Sequence, residues 1–456
     1  MATLTFTGAA LAVSQVDTLT VGGTIEATDI FNITITSEFG TAYTLAVVAG
    51  STDKDTVIAT LVAAFNACTH PNFTGITAAD TTSTLTGTMT LTADVAGVPF
   101  TCTETTTETG GGAQDDQTFE VAHTTASSGP KDWNCVENWS GGALPGGGAD
   151  EEVFIPAAAG DILYNLDQSA IANTLSRFIK YAGPGKIGPE NADGEAGVSL
   201  QIKATIIDIN KSFGPSAPSV SGRVKINAGD VASTITVYNS GISADTGKPA
   251  VRLLANSAST DIYVKKGSVG IATEPGETTT INDLYIDYVS SIAGDADVFV
   301  GSGVTLGDVI KTGGDLVIES AAANITSDAG TVQTEGSNNI SGALSINGGL
   351  AKLNSTGTIA TLNTKGTLTA NKNGVITTAN VKGGNAVFNS SATISALNMS
   401  GGVTDTTKSK VARTITTPKI GAGATFKFDP AIVTLTNPIE PLDTDEGAIA
   451  ISSAAA

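Results

Sequence analysis

The stretch GDADVFVG sets Asp295 and Asp297 two residues apart, and on a strand that spacing turns both carboxylates to one face. Such a pair can hold Ca²⁺ or divide general acid and base work. Asp283 and Asp287 lie just upstream, and Asp261 precedes Lys265 and Lys266 on the stretch IYVKK. Two further acidic clusters are DTDEG at 443–447 and GADEEVF around Asp150. DTDEG lacks the third carboxylate and the closing Glu of an EF-hand loop. Asp beside Gly also makes turns, so metal binding at Asp295 and Asp297 stays open against a turn role.

The remaining reactive groups are sparse. Cys68, Cys102 and Cys135 form an odd count without C-x-x-C spacing, and His70 and His123 are the only histidines. That set makes no zinc site, and the expectation is three buried thiols, with Cys68 and Cys102 able to meet inside one small domain. Neither histidine neighbours a plausible triad, and GGTIEA and PGGGAD lack the lysine and strand context of a phosphate loop. No residue is assigned a catalytic or cofactor-binding role. Trp133 and Trp139, the only tryptophans, admit two roles: covering the end of a core, or binding a sugar from Gly- and Pro-flanked loops.

What would position these groups is overwhelmingly strand. The 456 residues include 52 glycines, with aromatics at 5% and charged residues at 15%, which suits short Val/Ile/Thr strands joined by Gly and Asn turns. TLTVGGTIEA, DIFNITITSE, AYTLAVVAG, GTMTLTADV and PFTCTETTT alternate as half-buried strands do. Between them STDKDTVIATLVAAFNAC changes period. Val57, Ile58, Leu61, Val62 and Phe65 share one helical face, with Thr52 and Asp55 placed as a capping-box start.

Downstream, Ile359, Ile376 and Ile394 are each followed at plus three by Leu362, Ala379 and Leu397. Asn363, Asn380 and Asn398 come next, and Gly366, Gly383 and Gly401 stand at plus seven. Leu306 with Val309 and Gly313, Ser341 with Leu344 and Gly348, and then Ile415 and Ile432 continue the frame less completely. A fixed period near 18 built of short strands predicts a β-solenoid, with apolar ladders inside, Asn bonding local backbone at corners, and Gly supplying positive φ.

The expected fold is mainly β: a small N-terminal α+β module (1–108, helix near 53–67), a linker (109–130) with a short strand at TFEVAH, and a tryptophan-containing cap and lead-in to the solenoid (131–194). A parallel β-solenoid (195–440) with coils of 17–21 residues and a C-terminal tail (441–456) follow.

Net charge is −21, and residues 1–130 hold 13 acids against the single Lys54. Such a surface repels phosphate backbones and anionic headgroups, so nucleic-acid binding is not expected; no run approaches the ~20 apolar residues of a membrane span, so membrane insertion is not expected either. The start MATLTFTGAALAVSQVDTLTV has no basic n-region; the expectation is a chain made in the cytoplasm that leaves by lysis, particle assembly or a dedicated route.

Three stretches carry a resemblance. TLTVGGTIEATDIFNITIT with DTVIATLVAAFNA and TLTADVAGVPFTCT is similar to small modules of phage tail and fibre proteins. DWNCVENWSGGALPGGGADEEVFIP resembles the lead-in to parallel β-helices of bacterial surface proteins, and the array from TVYNSG through LNMSGG completes the likeness. Together they resemble the β-solenoid structural proteins of tailed bacteriophage virions. The resemblance implies a non-enzymatic fibre, spike or decoration in the virion, in contact with other virion proteins and with a host surface glycan or receptor. It also implies a homo-oligomer, a trimer by analogy. The alternatives are a bacterial adhesin or filament subunit, and a polysaccharide-depolymerising tailspike using acids from residues 261–297.

Overall fold

The computed structural model describes residues 2–37, 40–109, 116–181, 183–189, 198–210, 223–239, 249–287, 297–337, 339–372, 374–442 and 450–453. Asp295 and the DTDEG cluster lie outside them. The protein is a parallel β-solenoid carrying an α+β module near its N-terminus.

One ladder of the solenoid runs through Leu4, Val153, Phe178, Ile207, Ile235, Ile262, Leu284, Val309, Ile325, Leu344, Leu362, Ala379, Leu397 and Pro418, each paired in register with the next. Beside it, Ile226, Leu253, Ile271, Val300, Ile318, Thr334, Leu353, Ala370 and Phe388 form a second inward row. Nearly all these side chains are buried in one continuous core. Each fully buried Val, Leu or Ile contributes ~1.5–3 kcal/mol, and the branched side chains suit a pleated surface. At ~4.8 Å per coil the stack is a rod on the order of 60 Å long.

The array starts earlier than its regular period indicates. Glu152–Ile155 already pairs with Arg177–Lys180, so the solenoid does not begin at residue 195. From Val153 to Val309 successive partners are 22 to 29 residues apart, and only from Val309 onward 16 to 21. The wider upstream steps carry longer, unrepeated connections, which hide the ladder from a search for a fixed period.

Two details of the frame also shift. Ile340, not Ser341, partners Ile359, because the register slips between Ile340 and Ala343. Leu435, not Ile432, partners Ile415.

The module is two antiparallel sheets, one of Ile76–Asp80, Thr88–Ala93, Val16–Gly22 and Thr118–Thr125, the other of Ala42–Val48, Ile30–Thr36 and Thr101–Thr107. Thr118–Thr125 lies in the segment expected as linker, yet it pairs with Val16–Gly22 along its whole length. The helix, Lys54–Ala67, buries Val57, Ile58, Leu61 and Phe65 against the sheets. Its cap is Asp53 rather than Thr52: the Asp53 carboxylate accepts the Thr56 amide and hydroxyl at 2.9 and 2.7 Å. Asp55 instead accepts the Gly87 amide at 2.7 Å.

Thr3–Thr5 does not belong to the module. It lies parallel to Glu152–Ile155 as the outermost rung of the solenoid, so the module is an insertion between the first strand of the array and its cap. Val13 and Ser128 close the neck with reciprocal amide–carbonyl bonds of 2.8 and 3.4 Å.

Candidate functional site: outward ladders and the carboxylates

The cap is organised by Asn138, a fully buried residue. Its Oδ1 accepts the Ala10 amide at 2.8 Å, and its Nδ2 donates to the Gly129 and Asp132 carbonyls at 2.8 and 2.7 Å. Its own carbonyl accepts the Thr7 amide at 2.6 Å. One amide side chain thus ties the strand leaving for the module to the strand returning from it.

Trp133 and Trp139 pack edge to face at 4.7 Å, Phe6 meets Trp139 at 5.1 Å, and the Trp139 Nε1 donates to the Trp133 carbonyl at 2.8 Å. Both indoles are buried in the solenoid core. A sugar-binding role for this pair is excluded, since neither ring face is open to a ligand. Glu151 of the GADEEVF cluster is also structural; it accepts the Gly146 and Gly148 amides at 2.7 and 2.9 Å and folds the PGGG loop. Asp150 is exposed, with a left-handed backbone.

On the outer face of the regular coils, asparagines bond to each other rather than to local backbone. Asn398 donates to Asn380 at 2.9 Å, Asn380 to Asn363 at 2.9 Å, and Asn363 to Ser345 at 3.2 Å. A second row runs from Asn389 through Asn371 and Asn354 to Glu335, at 3.2, 3.1 and 2.8 Å. An amide carries both donor and acceptor, so one Asn per coil at one register satisfies its neighbours above and below.

The positive φ of the adjoining corner falls one residue after the expected position. Gly384 (φ 66°) and Gly402 (φ 71°) are left-handed, and a Cβ on Gly384 would stand 2.1 Å from the Gly366 carbonyl oxygen of the preceding coil.

The upstream carboxylates are brought onto the outer face and engaged singly. Asp287 pairs with Lys265, Asp283 accepts the Tyr285 hydroxyl at 3.2 Å and the Asp308 amide at 3.1 Å, and Asp261 accepts from Asn282 at 2.9 Å. Tyr263 and Tyr285 stack here at 4.4 Å with Lys265 over the Tyr263 ring. Asp283 and Asp287 therefore serve different partners. Asp297 is exposed at the start of its strand, in register with Asp315 on the next coil. Asp315 in turn accepts the Thr331 amide at 2.8 Å. Asp297 and Asp315 thus stand on neighbouring coils at the same register, whereas Asp295 lies outside the described residues.

The thiols are all free. Burial pushes Cys102 up to about 12, and burial also raises Cys135, which accepts the Gly129 amide; both are poor nucleophiles at neutral pH. Cys68 is half-buried rather than buried. His123 bonds the buried Asp17 at 2.9 Å, and His70 stacks on Tyr43 at 3.7 Å.

Sequence reasoning missed three groups. Lys225 and Arg252 are neighbours in register and meet the EPGE turn, Lys225 at 3.2 Å from Glu274 and 2.7 Å from Glu277, and Arg252 against Glu274. Both directly precede the inward Ile226 and Leu253, so alternation sets them on the outer face, where the turn covers them; a basic residue between apolar neighbours on two paired strands was the available signal. Lys180 is fully buried, with its ammonium 3.4 Å from the Tyr181 carbonyl, and burial lowers it to about 8. Glu26, Asp29 and Glu108 bring three carboxylates together in the module.

No protein-family model matches the sequence, and comparison with curated proteins and with solved structures yields no significant match. The architecture itself defines the class: a parallel β-solenoid whose capping end carries an inserted α+β module.

Proposed function

We propose that the chain is a non-enzymatic structural protein of a bacteriophage virion, a fibre, spike or decoration. In this reading the solenoid is a stiff protruding shaft and the acidic module at its capping end docks or presents. The observation that carries it is the pair of outward asparagine rows, in which surface side chains are spent on bonds along the rod. Backbone ladders and side-chain rows resist bending together, which is what a shaft requires. Lateral assembly, as a trimer by analogy, and contact with a host glycan or receptor belong to the same proposal. Mass spectrometry of nuclease-treated, gradient-purified particles from the source culture tests it. The chain is expected at constant stoichiometry with the other particle proteins. Recovery in washed cell envelopes with none in particles would overturn the proposal in favour of an adhesin.

A further inference from the structure

The module contains a second kind of site. Ile30 pairs with Thr107 across the antiparallel strands Ile30–Thr36 and Thr101–Thr107, so the residues just beyond that pair, Asp29 and Glu108, arrive at the same sheet end. The turn of residues 26–29, closed by the Asp29 amide on the Glu26 carbonyl at 3.1 Å, returns Glu26 to the same place. One carboxylate oxygen from each of Glu26, Asp29 and Glu108 lies within 4.8 Å of the others.

A second observation singles out the centre. Asp29 is fully buried. Its Oδ2 accepts the Glu26 amide at 2.7 Å, while its buried Oδ1 has no hydrogen-bond partner among the described residues. A buried carboxylate oxygen left without a partner is unfavourable unless something positive meets it. Counter-charge within the module is scarce, because Lys54 is the only Lys or Arg in residues 1–130.

We propose that Glu26, Asp29 and Glu108 bind a hard divalent cation, Ca²⁺, which ties the turn of residues 26–29 to the end of the neighbouring strand. Ca²⁺ takes six to eight oxygens at ~2.3–2.6 Å. Two oxygens on one such ion stand at most ~5 Å apart, which matches the spacing here. Exposed Glu26 leaves one side for water, and the turn can adjust to the irregular shells that calcium tolerates. The same crowding of negative charge raises the Glu26 carboxyl, through Glu108 first, then burial and Asp29.

The test is calorimetric titration of CaCl₂ into the chelator-treated full-length chain, with MgCl₂ in parallel. The expected result is one Ca²⁺ site per chain with Kd in the range ~10⁻⁵–10⁻³ M, with Mg²⁺ at least tenfold weaker. Glu26→Gln and Glu108→Gln lie at the exposed and half-buried rim, so each is expected to keep the far-UV spectrum and the melting profile while weakening Ca²⁺ at least tenfold. Absence of binding at millimolar Ca²⁺, equal affinity for Mg²⁺, or undiminished binding by both folded variants would overturn the proposal.

Discussion

Leu4 lies directly beside Val153 in a parallel ladder, and the whole module is threaded between them. The first strand of the rod is therefore made before the module and completed after it. Truncating Phe6 to Ala removes a fully buried ring that packs on Trp139 and should destabilise the solenoid by about 3–5 kcal/mol. Calorimetry should place that loss on the solenoid transition and leave the module transition where it was.

Asn138 joins the two crossings of the neck through three buried side-chain bonds. Asn138→Ala leaves the Ala10 amide and two carbonyls without that partner, and a loss of about 2–5 kcal/mol is expected. Proteolysis should then cut between residues 8 and 13 or near 129. Unchanged resistance would mean the insertion is held by something else.

In the regular coils, Asn380→Ala breaks the row above and below at once. The side chain is half-buried, so about 1–2 kcal/mol is expected. Gly384→Ala should cost more, ~3 kcal/mol, because left-handed strain adds to the collision with the Gly366 carbonyl. Comparison of chemical denaturation midpoints for the two variants would check the order.

Lys180 predicts a pH dependence. Its pKa in the fold, about 8, lies below the ordinary 10.5 because of burial, so between those values the unfolded chain holds a proton that the folded chain has released. Wild-type stability should rise with pH through that window relative to Lys180→Met, by at most roughly 3 kcal/mol. Below about pH 8 the gap should be constant and favour the methionine variant. Parallel melts of both proteins from pH 7 to about 10.5 read the difference.

The in-register pair Asp297 and Asp315 offers a direct test against depolymerase activity. The double variant Asp297→Asn/Asp315→Asn should leave reducing-end release from host surface polysaccharide at the same background as wild type. Release by wild type that the double variant abolishes would refute the non-enzymatic reading.

Much of this architecture was legible in residue pattern. Ile359, Ile376, Ile394 and Ile415 are true register partners, because a coil that must bury one side chain per turn repeats its period openly in sequence. The first strand was not, since a three-residue TLT has no periodicity and its partner Glu152–Ile155 is distant. Thr118–Thr125 was undervalued for a related reason: it sits behind a glycine-rich stretch that has the composition of a connection. The row through Asn363, Asn380 and Asn398 showed as spacing, whereas the row through Asn354, Asn371 and Asn389 did not, and the coil-to-coil bonding of both depends on which face of the chain they occupy. The carboxylates of Glu26, Asp29 and Glu108 could not be grouped from spacing at all, because an antiparallel pairing across the module brings the third to the first two.

Electron cryomicroscopy of gradient-purified particles bearing a Fab raised against residues 13–128 tests the central claim most directly. The account predicts particles with Fab density at one fixed position, joined to a straight projection on the order of 60 Å long. Unlabelled particles beside labelled cell envelopes would contradict it.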